Sequence, residues 1–361
     1  MSPLSQPDGL LPANTLTAKT MTWKLYPIEE FRSHAAEWDA LQRSCSHTAF
    51  LESLFLLPLL TEFGDGQERL ALKREDGQLR AGAILRRVGV GRWETFQPSQ
   101  LPLGTWVSTS AQPVGTQVRE LLIKLPGLAL ILGITQLDSM LHPRPTDSPT
   151  LRAQDYIETA WIDIAGGFDA YWETLGKNLR QNTKKQRNKL ATEGTEVKLE
   201  CVTKPEHVEQ AMRDYGALEG AGWKAADGTA ILPGNAQGRF YRRMLESFCD
   251  LGRGRIYRYR FGDKVVSMDL CIDSGPVIVI LKTAYDESYK SVSPSTLMRQ
   301  EQFRHLFEEG RYSRIEFYGK VMEWHTRWTT NSRPVYHATN YRWPTLRFVH
   351  ERLAQRALAL K

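Results

Sequence analysis

The chain has 361 residues and a formal net charge of +6 at pH 7, and 41% of its residues are hydrophobic while 24% are charged. This is the composition of a folded globular protein, so it excludes a chain that is disordered throughout. The length exceeds what one hydrophobic core usually supports, so we expect two domains, and the excess of positive charge favours anionic partners.

Cysteine and histidine usage gives no sign of a metal. The four cysteines are far apart in the sequence: Cys45, Cys201, Cys249 and Cys271. No CxxC pair occurs and the eight histidines lack the spacing of metal ligands, so neither a zinc site nor a thioredoxin-type site is predicted. A disulfide framework is not indicated for a chain of this length, so we expect a reducing, cytoplasmic location.

The start of the chain predicts a tail rather than a targeting signal. Residues 1–21 contain no basic start and no apolar run, and they are rich in Pro, Ser and Thr. The most apolar stretch, residues 121–137, is broken by Lys124 and Pro126 and is too short to cross a membrane. We therefore expect a flexible tail followed by a soluble protein with no transmembrane segment.

The first domain is predicted over residues 22–165. Its helices follow from apolar residues at helical spacing and its strands from short alternating or apolar runs. The predicted elements are a strand over 23–26, helices over 31–41 and 51–63, hairpin strands over 69–73 and 79–85 around Asp76-Gly77, a helix over 117–125, and strands over 128–132 and 156–164.

The glycine pair Gly166-Gly167 marks the predicted boundary to a second domain over residues 166–345, and a terminal helix is predicted over 346–361. This domain is predicted to contain one long helix over 168–193, a strand over 197–202, helices over 205–219 and 240–251, strands over 256–261, 265–272 and 277–281, a helix over 295–309, and strands over 315–317 and 335–341. In the second of the three consecutive strands, Val266, Met268, Leu270 and Ile272 are expected to share one face. The two halves share an order of helices, a hairpin and a further helix, which hints at duplication.

The strongest candidate site is the start of the helix over residues 295–309. Ser293 is a residue type that caps helices, and Pro294 suits the first helical turn. The amides of Ser295, Thr296 and Leu297 would then be unpaired donors at the positive end of the helix dipole, where a pyrophosphate can bind. The alternative is an ordinary capped helix without a ligand.

Three short strings in the second half occur in the same order as in a known family. They are Glu219-Gly220-Ala221-Gly222-Trp223-Lys224, then Lys282-Thr283-Ala284-Tyr285-Asp286 followed by Ser293-Pro294, and finally Phe317-Tyr318-Gly319. These strings resemble the CelD-type acetyltransferases, a family associated with cellulose biosynthesis and related to the FemABX transferases. The resemblance covers about 170 residues.

The resemblance implies an α/β fold of tandem GNAT-like domains, each a mixed, mainly antiparallel sheet flanked by helices. It implies an acyltransferase that moves an acyl group, in the first instance acetyl, from acyl-CoA to an amine or hydroxyl acceptor. The acceptor would be anionic or sugar-like, as in polysaccharide biosynthesis, and no metal would be required. Residues expected to bind the CoA co-substrate are Lys282, Thr283, Ser293, Ser295, Thr296 and Leu297.

The candidate catalytic residues are Glu219, Lys224, Asp269, Tyr285 and Tyr318. Glu219 ends a predicted helix, and a carboxylate in a partly desolvated cleft suits a general base, although an ion pair with Lys224 is the alternative. Asp269 is expected to pair across the sheet with Lys282. Either tyrosine would protonate the departing thiolate, or would be a packing residue with a tethered hydroxyl.

Two features leave other functions open. The family has glycine where this chain has Ser295, and a tyrosine–lysine pair where it has Trp324-His325, so the chain could instead be a degenerate transferase that acts as a binding component. Six cations crowd one predicted helix: Lys177, Arg180, Lys184, Lys185, Arg187 and Lys189. They form a solvated face or bind an anion, which in an aminoacyl-tRNA-dependent FemABX-like transferase would be tRNA.

Overall fold

A computed structural model gives the structure of the protein, and it describes residues 22–46, 48–109, 112–220 and 231–359. The predicted tail over residues 1–21 and the candidate residue Lys224 lie outside the described residues.

The first half of the chain alternates strands with three helices. Its elements are β1 (Thr22–Pro27), α1 (Phe31–Cys45), α2 (Ser53–Phe63), β2 (Arg69–Glu75), β3 (Gln78–Gly89), β4 (Arg92–Thr95), β5 (Trp106–Ser108), α3 (Val114–Lys124), β6 (Ile131–Asp138) and β7 (Leu151–Asp163), with 3-10 turns at Ile28–Glu30 and Ala49–Leu51. The turn between β2 and β3 has positive φ at both Asp76 and Gly77, as a two-residue hairpin requires, so that predicted hairpin is confirmed.

The second half contains the remaining helices and strands. Its elements are α4 (Phe168–Thr174), α5 (Lys177–Thr192), β8 (Val197–Val202), α6 (Val208–Gly220), α7 (Ala236–Asp250), β9 (Gly254–Phe261), β10 (Lys264–Ser274), β11 (Val277–Tyr285), α8 (Pro294–Glu309), β12 (Arg314–Glu316), α9 (Glu323–Thr326), β13 (Ser332–Tyr341) and α10 (Pro344–Ala359), with 3-10 segments at Pro205–His207 and Glu287–Val292. The single helix predicted over residues 168–193 is wrong. Leu175 and Gly176 have extended backbones, with ψ of 158° and 137°, and glycine is a poor helix former, so the chain breaks there into α4 and α5.

The two halves have the same strand topology. In the first half β1, β2, β3 and β4 pair antiparallel in sequence, and β4 then pairs parallel with β6 after the helix α3. In the second half β8, β9, β10 and β11 pair antiparallel, and β11 then pairs parallel with β12 after α8. The duplication that the sequence hinted at is therefore present in the fold, as a tandem arrangement of mixed sheets flanked by helices.

The final strand of each half pairs with the other half. Strand β7 of the first half pairs antiparallel with β12, and β13 of the second half pairs antiparallel with β6. The two exchanged strands also pair with each other, from Ser332 opposite Ala160 to Asn340 opposite Leu151. The result is one continuous sheet. Its strand pairing joins residues on both sides of the predicted domain boundary at residues 165 and 166, and that boundary stays a prediction.

The helices cover the second half of the sheet on both faces. Helices α6 and α7 pack on one face together with α1 and α2 of the first half, and the rings of Phe55 and Phe240 have centroids 5.1 Å apart where α2 meets α7. Helices α4, α5 and α8 pack on the opposite face. Met268 and Leu270 point toward α6 and α7, whereas Val266 packs on the α8 side. The prediction that Val266 shares their face is wrong because the register of β10 against β9 shifts between Val265 and Ser267, which reverses the alternation there.

A buried ion triad holds the exchanged strands together. The Nε of Arg333 on β13 donates to both carboxylate oxygens of Asp138 at 2.8 Å, and its Nη2 donates to Glu316 of β12 at 3.0 Å. All three side chains are buried, and the guanidinium also lies 5.0 Å from the ring centroid of Tyr318. Burial raises the pKa of Glu316 to about 7, against the opposing effect of Arg333.

We expect Asp138→Ala to lower the free energy of unfolding by about 3–5 kcal/mol, because it leaves the Arg333 guanidinium buried without its bidentate partner. As a control, Arg213→Ala breaks the half-exposed pair with Glu209 on α6 and should change that free energy by less than about 1 kcal/mol. Urea denaturation of both variants measures the difference. Equal small losses in the two variants would mean that the triad does not hold the halves together.

The raised pKa of Glu316 predicts that the free energy of unfolding depends on pH. With a folded pKa of about 7 and an ordinary value of 4.5, neutral Glu316 stabilises the fold fully below pH 4.5, and that contribution is lost as the pH rises through 7. Glu316→Gln cannot ionise, so its stability relative to the parent should rise over this pH range. Urea denaturation at several pH values measures the difference, and a difference that is constant with pH would contradict the raised pKa.

Candidate functional site

The cleft of the second half opens where β11 and β12 separate. The two strands pair only from Val277 opposite Arg314 to Val279 opposite Glu316. Beyond Val279, β12 no longer pairs with β11, so one edge of β11 faces a cleft. The register of β11 against β10 also shifts at this point, which leaves Leu281 as an extra residue in a bulge. An open strand edge can hydrogen-bond an extended ligand through its backbone.

A cavity of about 370 Å³ lies on the α8 side of β11, and we call it the α8 cavity. It is lined by Thr283, Tyr285, Lys290, Ser293, Pro294, Ser295, Thr296, Arg299 and Trp324. Five of the predicted site residues therefore come together here, namely Thr283, Tyr285, Ser293, Ser295 and Thr296, and Pro294 and Trp324 lie beside them. The structure adds two cationic side chains to them.

The start of α8 differs from the predicted cap. Ser293 has a left-handed backbone, with φ 50° and ψ 57°, and its side chain makes no capping hydrogen bond. A capping side chain reaches the first-turn amides from an extended backbone, which Ser293 does not have. Its carbonyl accepts instead from the amides of Thr296 at 2.9 Å and Leu297 at 3.2 Å. The prediction of three unpaired amides is thus wrong, and of the three only that of Ser295 has no hydrogen-bond partner among the described residues.

The Ser295 side chain is held against the sheet. Its hydroxyl lies 3.0 Å from that of Ser267 on β10, and Ser267 in turn donates to the carbonyl of Ala284 at 3.2 Å. The residue that departs from the family's glycine is therefore accommodated by a hydrogen bond to a neighbouring strand. Its amide remains at the cavity.

Arg299 is a buried cation in the lining of the α8 cavity that the sequence reasoning missed. Its Nη2 donates to Thr283 Oγ1 at 3.0 Å and lies 3.9 Å from the carboxylate of Asp269. The guanidinium stacks 4.0 Å from the ring centroid of Trp324, which itself stacks on His325 at 3.4 Å. An arginine on a helix usually lies at the surface, so no sequence signal distinguished this one.

The predicted pairing of Asp269 with Lys282 is wrong. In the strand register Asp269 lies opposite Thr283, whereas Lys282 lies opposite Leu270 and so extends from the other face of the sheet. Asp269 is fully buried beside Arg299, and burial raises its pKa while Arg299 opposes the rise. These contacts make Asp269 a partner of Arg299 inside the fold.

His325 is neutral in this arrangement. Its Nδ1 accepts a hydrogen bond from the amide of Met322 at 2.9 Å, at the start of α9. Burial and the nearby Arg299 lower the pKa of His325 to about 4. The histidine of the Trp324-His325 pair thus orders α9, while the tryptophan covers Arg299.

A second cavity, of about 440 Å³, lies between the two halves on the opposite face of β11. It contains Lys282, Tyr241, Leu281 and Tyr318 from the second half, together with residues 97–102 and Gln136 from the first. Lys282, predicted to bind the co-substrate with Thr283, lies in this cavity instead, 5.9 Å from the ring centroid of Tyr241. Gln136 and Tyr318 both have left-handed backbones, with φ of 46° and 49°, a kind of strain that collects at functional sites.

Glu219 is buried behind this cavity. Its carboxylate accepts from the hydroxyl of Tyr215 at 3.2 Å and from the amide of Ile231 at 2.8 Å. Burial and the charge of Glu219 raise the pKa of both Tyr215 and Tyr241. Glu219 is therefore held inside the fold near Tyr241, which lines the cavity, and its predicted catalytic role and its pairing with Lys224 stay predictions.

The basic helix α5 is partly engaged in structural contacts. Arg180 pairs with Glu173, and Arg187 bonds Glu301 and Gln300 of α8, each at 2.8 Å. Lys177, Lys184 and Lys185 make no ion pair with any described residue. The helix thus uses its arginines for packing and leaves lysines for solvent or a ligand.

One family model matches part of the chain. Residues 177–326 match the family model described as an acetyltransferase (GNAT) domain, and this region begins at α5 and ends at α9. None of the curated proteins matches the sequence.

Three solved structures resemble the chain in fold. The structure of FemX has a TM-score of 0.55 and 10% identity and covers 87% of this chain and 98% of its own. The C-terminal domain of a lysylphosphatidylglycerol synthetase homologue from Agrobacterium fabrum has a TM-score of 0.54 and 14% identity. It covers 85% of this chain and 91% of its own. A conserved protein of unknown function from Bacteroides thetaiotaomicron has a TM-score of 0.54 and 9% identity. It covers 88% of this chain and 99% of its own. The chain therefore has a GNAT-like fold, and residues 177–326 of its second half are similar to the acetyltransferase (GNAT) domain.

No helix among the described residues is long and apolar enough to span a bilayer. No group of three or more His, Cys, Asp or Glu side chains in the described part of the chain could hold a metal ion.

The left-handed backbone of Ser293 predicts that glycine is better tolerated there. We expect Ser293→Gly to raise the free energy of unfolding by about 0.5–1 kcal/mol, because glycine adopts positive φ without steric cost and no side-chain cap is lost. Ser288→Gly is the matched control in the preceding 3-10 segment, where the hydroxyl donates to Asp286 at 2.6 Å, and it should be destabilising. Thermal melts separate the two, and a loss of stability in Ser293→Gly would show that the serine hydroxyl stabilises this turn.

Proposed function

We propose that the protein is an acyltransferase that moves an acyl group, in the first instance acetyl, from acyl-CoA to an amine or hydroxyl acceptor. One observation carries the proposal: two cavities lie on opposite faces of β11 at the point where β11 and β12 separate. A donor bound on one face and an acceptor on the other would meet at the open strand edge. The match of residues 177–326 to the acetyltransferase (GNAT) domain supports this direction.

The donor is assigned to the α8 cavity. The Ser295 amide at the start of α8, the rim cation Lys290 and the buried Arg299 together favour the phosphates of CoA. The extended arm of the donor would bond the open edge of β11, which brings the thioester to the bulge at Leu281. Tyr285 is half exposed in this cavity, and its predicted catalytic role becomes one of contact with the donor.

The transfer itself would be direct. The acceptor nitrogen or oxygen attacks the thioester carbonyl and forms the new bond to its carbon, the carbon–sulfur bond breaks, and the proton that the acceptor loses balances the one that the sulfur takes. The Lys282 ammonium, one residue past the bulge, would stabilise the oxyanion that forms. Burial raises the pKa of Tyr318 well above its ordinary value, so its hydroxyl stays protonated and can donate a hydrogen bond to the thiolate, which takes up the proton that the acceptor releases.

The acceptor is assigned to the cavity between the halves. Its tyrosines provide ring surfaces, and Lys282 and Lys320 provide positive charge, so a sugar-like or anionic acceptor fits. The CelD-type resemblance points to a precursor of a polysaccharide such as cellulose. This part of the proposal rests on resemblance and on the composition of the cavity.

A second donor is favoured by one observation. Lys177, Lys184 and Lys185 on α5 have no ion-pair partner among the described residues, so an aminoacyl-tRNA, the donor of FemABX transferases, would meet free positive charge there. Native mass spectrometry with acetyl-CoA, longer acyl-CoAs and aminoacyl-tRNA distinguishes the two donors. A protein that binds none of them would be the non-catalytic binding component.

Substitution of Ser295 tests the donor site. Ser295→Asp should stabilise the start of α8 by about 0.3–1 kcal/mol through the helix dipole. Its carboxylate would oppose the donor phosphates, so we expect the affinity for acetyl-CoA to fall at least about tenfold. Ser295→Gly, which removes the side chain, should bind acetyl-CoA at least as well as the parent.

Calorimetric titration with acetyl-CoA and melting curves with and without CoA measure both effects. Ser295→Ala is the control, because it loses the bond to Ser267 without adding a charge. Undiminished binding of acetyl-CoA by Ser295→Asp would place the donor elsewhere and leave the start of α8 as a structural turn.

A further inference from the structure

One end of the first half of the chain carries a group of exposed apolar side chains. They come from three segments: the turn between β3 and β4, the region from the end of α3 to β6, and the region that leads into α10. Their exposed fractions range from 48% at Trp343 to 89% at Val90. Single exposed apolar residues are common, whereas a contiguous group marks a surface that binds a partner or a membrane. The members of this apolar patch are Val90, Ile123, Leu128, Trp343, Phe348 and Val349.

Backbone hydrogen bonds hold the three segments side by side. The carbonyl of Gly91, which follows Val90 in the hairpin turn, accepts from the amide of Leu130 at 2.7 Å. The carbonyl of Leu130 accepts in turn from the amide of Arg342 at 2.8 Å, one residue before Trp343. The apolar patch is therefore continuous from the hairpin turn, across the connection between α3 and β6, to the start of α10.

Positively charged side chains surround the apolar patch. The guanidinium of Arg352 lies 4.1 Å from the ring centroid of Phe348, and that of Arg342 lies 5.8 Å from the ring centroid of Trp343. These two arginines and three further cations of the same segments make no ion pair with a described residue. The five cations are Arg87, Arg92, Lys124, Arg342 and Arg352.

Two acids of the same segments are engaged elsewhere. Glu94 of β4 pairs with Arg86 at 2.7 Å, and Glu351 of α10 pairs with Arg347 at 2.9 Å. The charge of the five cations is therefore not offset by these carboxylates. This end of the molecule thus combines projecting apolar side chains with positive charge that is available to an anionic partner.

An anionic membrane surface fits this combination better than a second copy of the chain does. In a symmetric contact between two copies the apolar patch would face itself, so the same five cations would also face each other. A bilayer that contains acidic lipids offers phosphates at its surface and acyl chains a few ångströms deeper, which matches cations around apolar side chains. Val90 stands in a two-residue hairpin turn, where Gly89 lies opposite Arg92, so it projects from the sheet as insertion requires.

We propose that this end of the first half docks the protein on a membrane surface that contains anionic lipids. The apolar patch would enter the boundary between headgroups and acyl chains, and the surrounding cations would contact lipid phosphates. Strand β6 leads away from the patch, and Gln136 in the cavity between the halves lies five residues past Ile131, where β6 begins. At about 3.3 Å per residue the cavity would be about 16 Å from the docked end, so docking would leave it open.

The double variant Val90→Glu with Leu128→Glu tests the apolar patch. Both side chains are exposed, so the variant should fold, and a melting curve checks this. Met140→Glu with Leu251→Glu is the matched control, because it places the same two charges on exposed apolar positions outside the patch. Co-sedimentation at low salt with phosphatidylcholine vesicles that contain about 30% phosphatidylglycerol measures the affinity. We expect the patch variant to lose at least about tenfold and the control to stay within about threefold of the parent.

The double variant Arg87→Gln with Lys124→Gln tests the charge. A cation near an anionic surface raises the affinity about fivefold, so we expect the loss of two to lower it about thirtyfold. Arg43→Gln with Lys204→Gln is the matched control, because it removes two exposed cations from other parts of the chain. Vesicles of phosphatidylcholine alone should bind the parent much less, and added salt should release the parent from the anionic vesicles.

Two results would overturn the inference. One is a parent protein that does not bind the anionic vesicles at low salt, and the other is an equal loss of affinity in the variants and their controls, which would indicate a diffuse effect of net charge. Sedimentation velocity examines the other occupant. A dimer of the parent that Val90→Glu with Leu128→Glu abolishes, without vesicle binding by the parent, would assign the patch to a contact between two copies and overturn membrane docking. The vesicle assay contains no acyl donor, so its outcome is independent of the proposed function.

Discussion

The exchange of strands between the two halves depends on the burial of one guanidinium. Arg333 lies on the strand that the second half contributes to the first, and it bonds Asp138 at the end of β6 and Glu316 at the end of β12. One cation thereby ties together the parallel strands of both halves. Because these groups are removed from water, the loss of one partner leaves the others buried without their full set of hydrogen bonds, and the two carboxylates share one positive charge. Burial raises the pKa of Glu316, Arg333 opposes that rise and the charge of Asp138 adds to it, while Arg333 itself stays charged.

The same junction shapes the cleft. Strand β12 ends at Glu316, and the chain turns away two residues later through the left-handed Tyr318, whose ring packs on Phe50 at 4.7 Å and lies under Arg333. With β12 held there, β11 continues without β12 on that edge, still paired with β10, and bulges at Leu281. The opening at β11 is therefore a consequence of how the halves are joined. A lone copy of the second half would lack both β7 and the surface that holds Tyr318, which explains why the cavity between the halves needs the entire chain.

Local patterns predicted most of the elements, because period-two and helical spacing and the Asp76-Gly77 turn are encoded within a few residues. The sequence also predicted that Thr283, Tyr285, Ser295 and Thr296 lie at one site, because all of them flank one strand-to-helix connection. Features that depend on contacts between distant parts of the chain could not be predicted from the sequence. Three features depend on pairing partners that no local pattern specifies. They are the register shift that turns Val266 to the other face, the bulge that separates Lys282 from Thr283, and the left-handed backbone of Ser293. The burial of Arg299 depends likewise on Asp269 and Trp324, which come from other elements.

The departures from the family pattern are better explained as one adapted site than as decay. Ser295 replaces glycine, and its hydroxyl is bonded to Ser267 on a neighbouring strand. Trp324-His325 replaces a tyrosine–lysine pair, and the tryptophan covers the guanidinium of Arg299 while the histidine orders α9. A site losing its function would accumulate unrelated changes, whereas these residues contact partners from three different elements around one cavity. The buried guanidinium of Arg299 lies beside Thr283, where water screens its charge less than it would at an exposed position. Under the proposed function, that charge would act on an anionic donor bound beside β11.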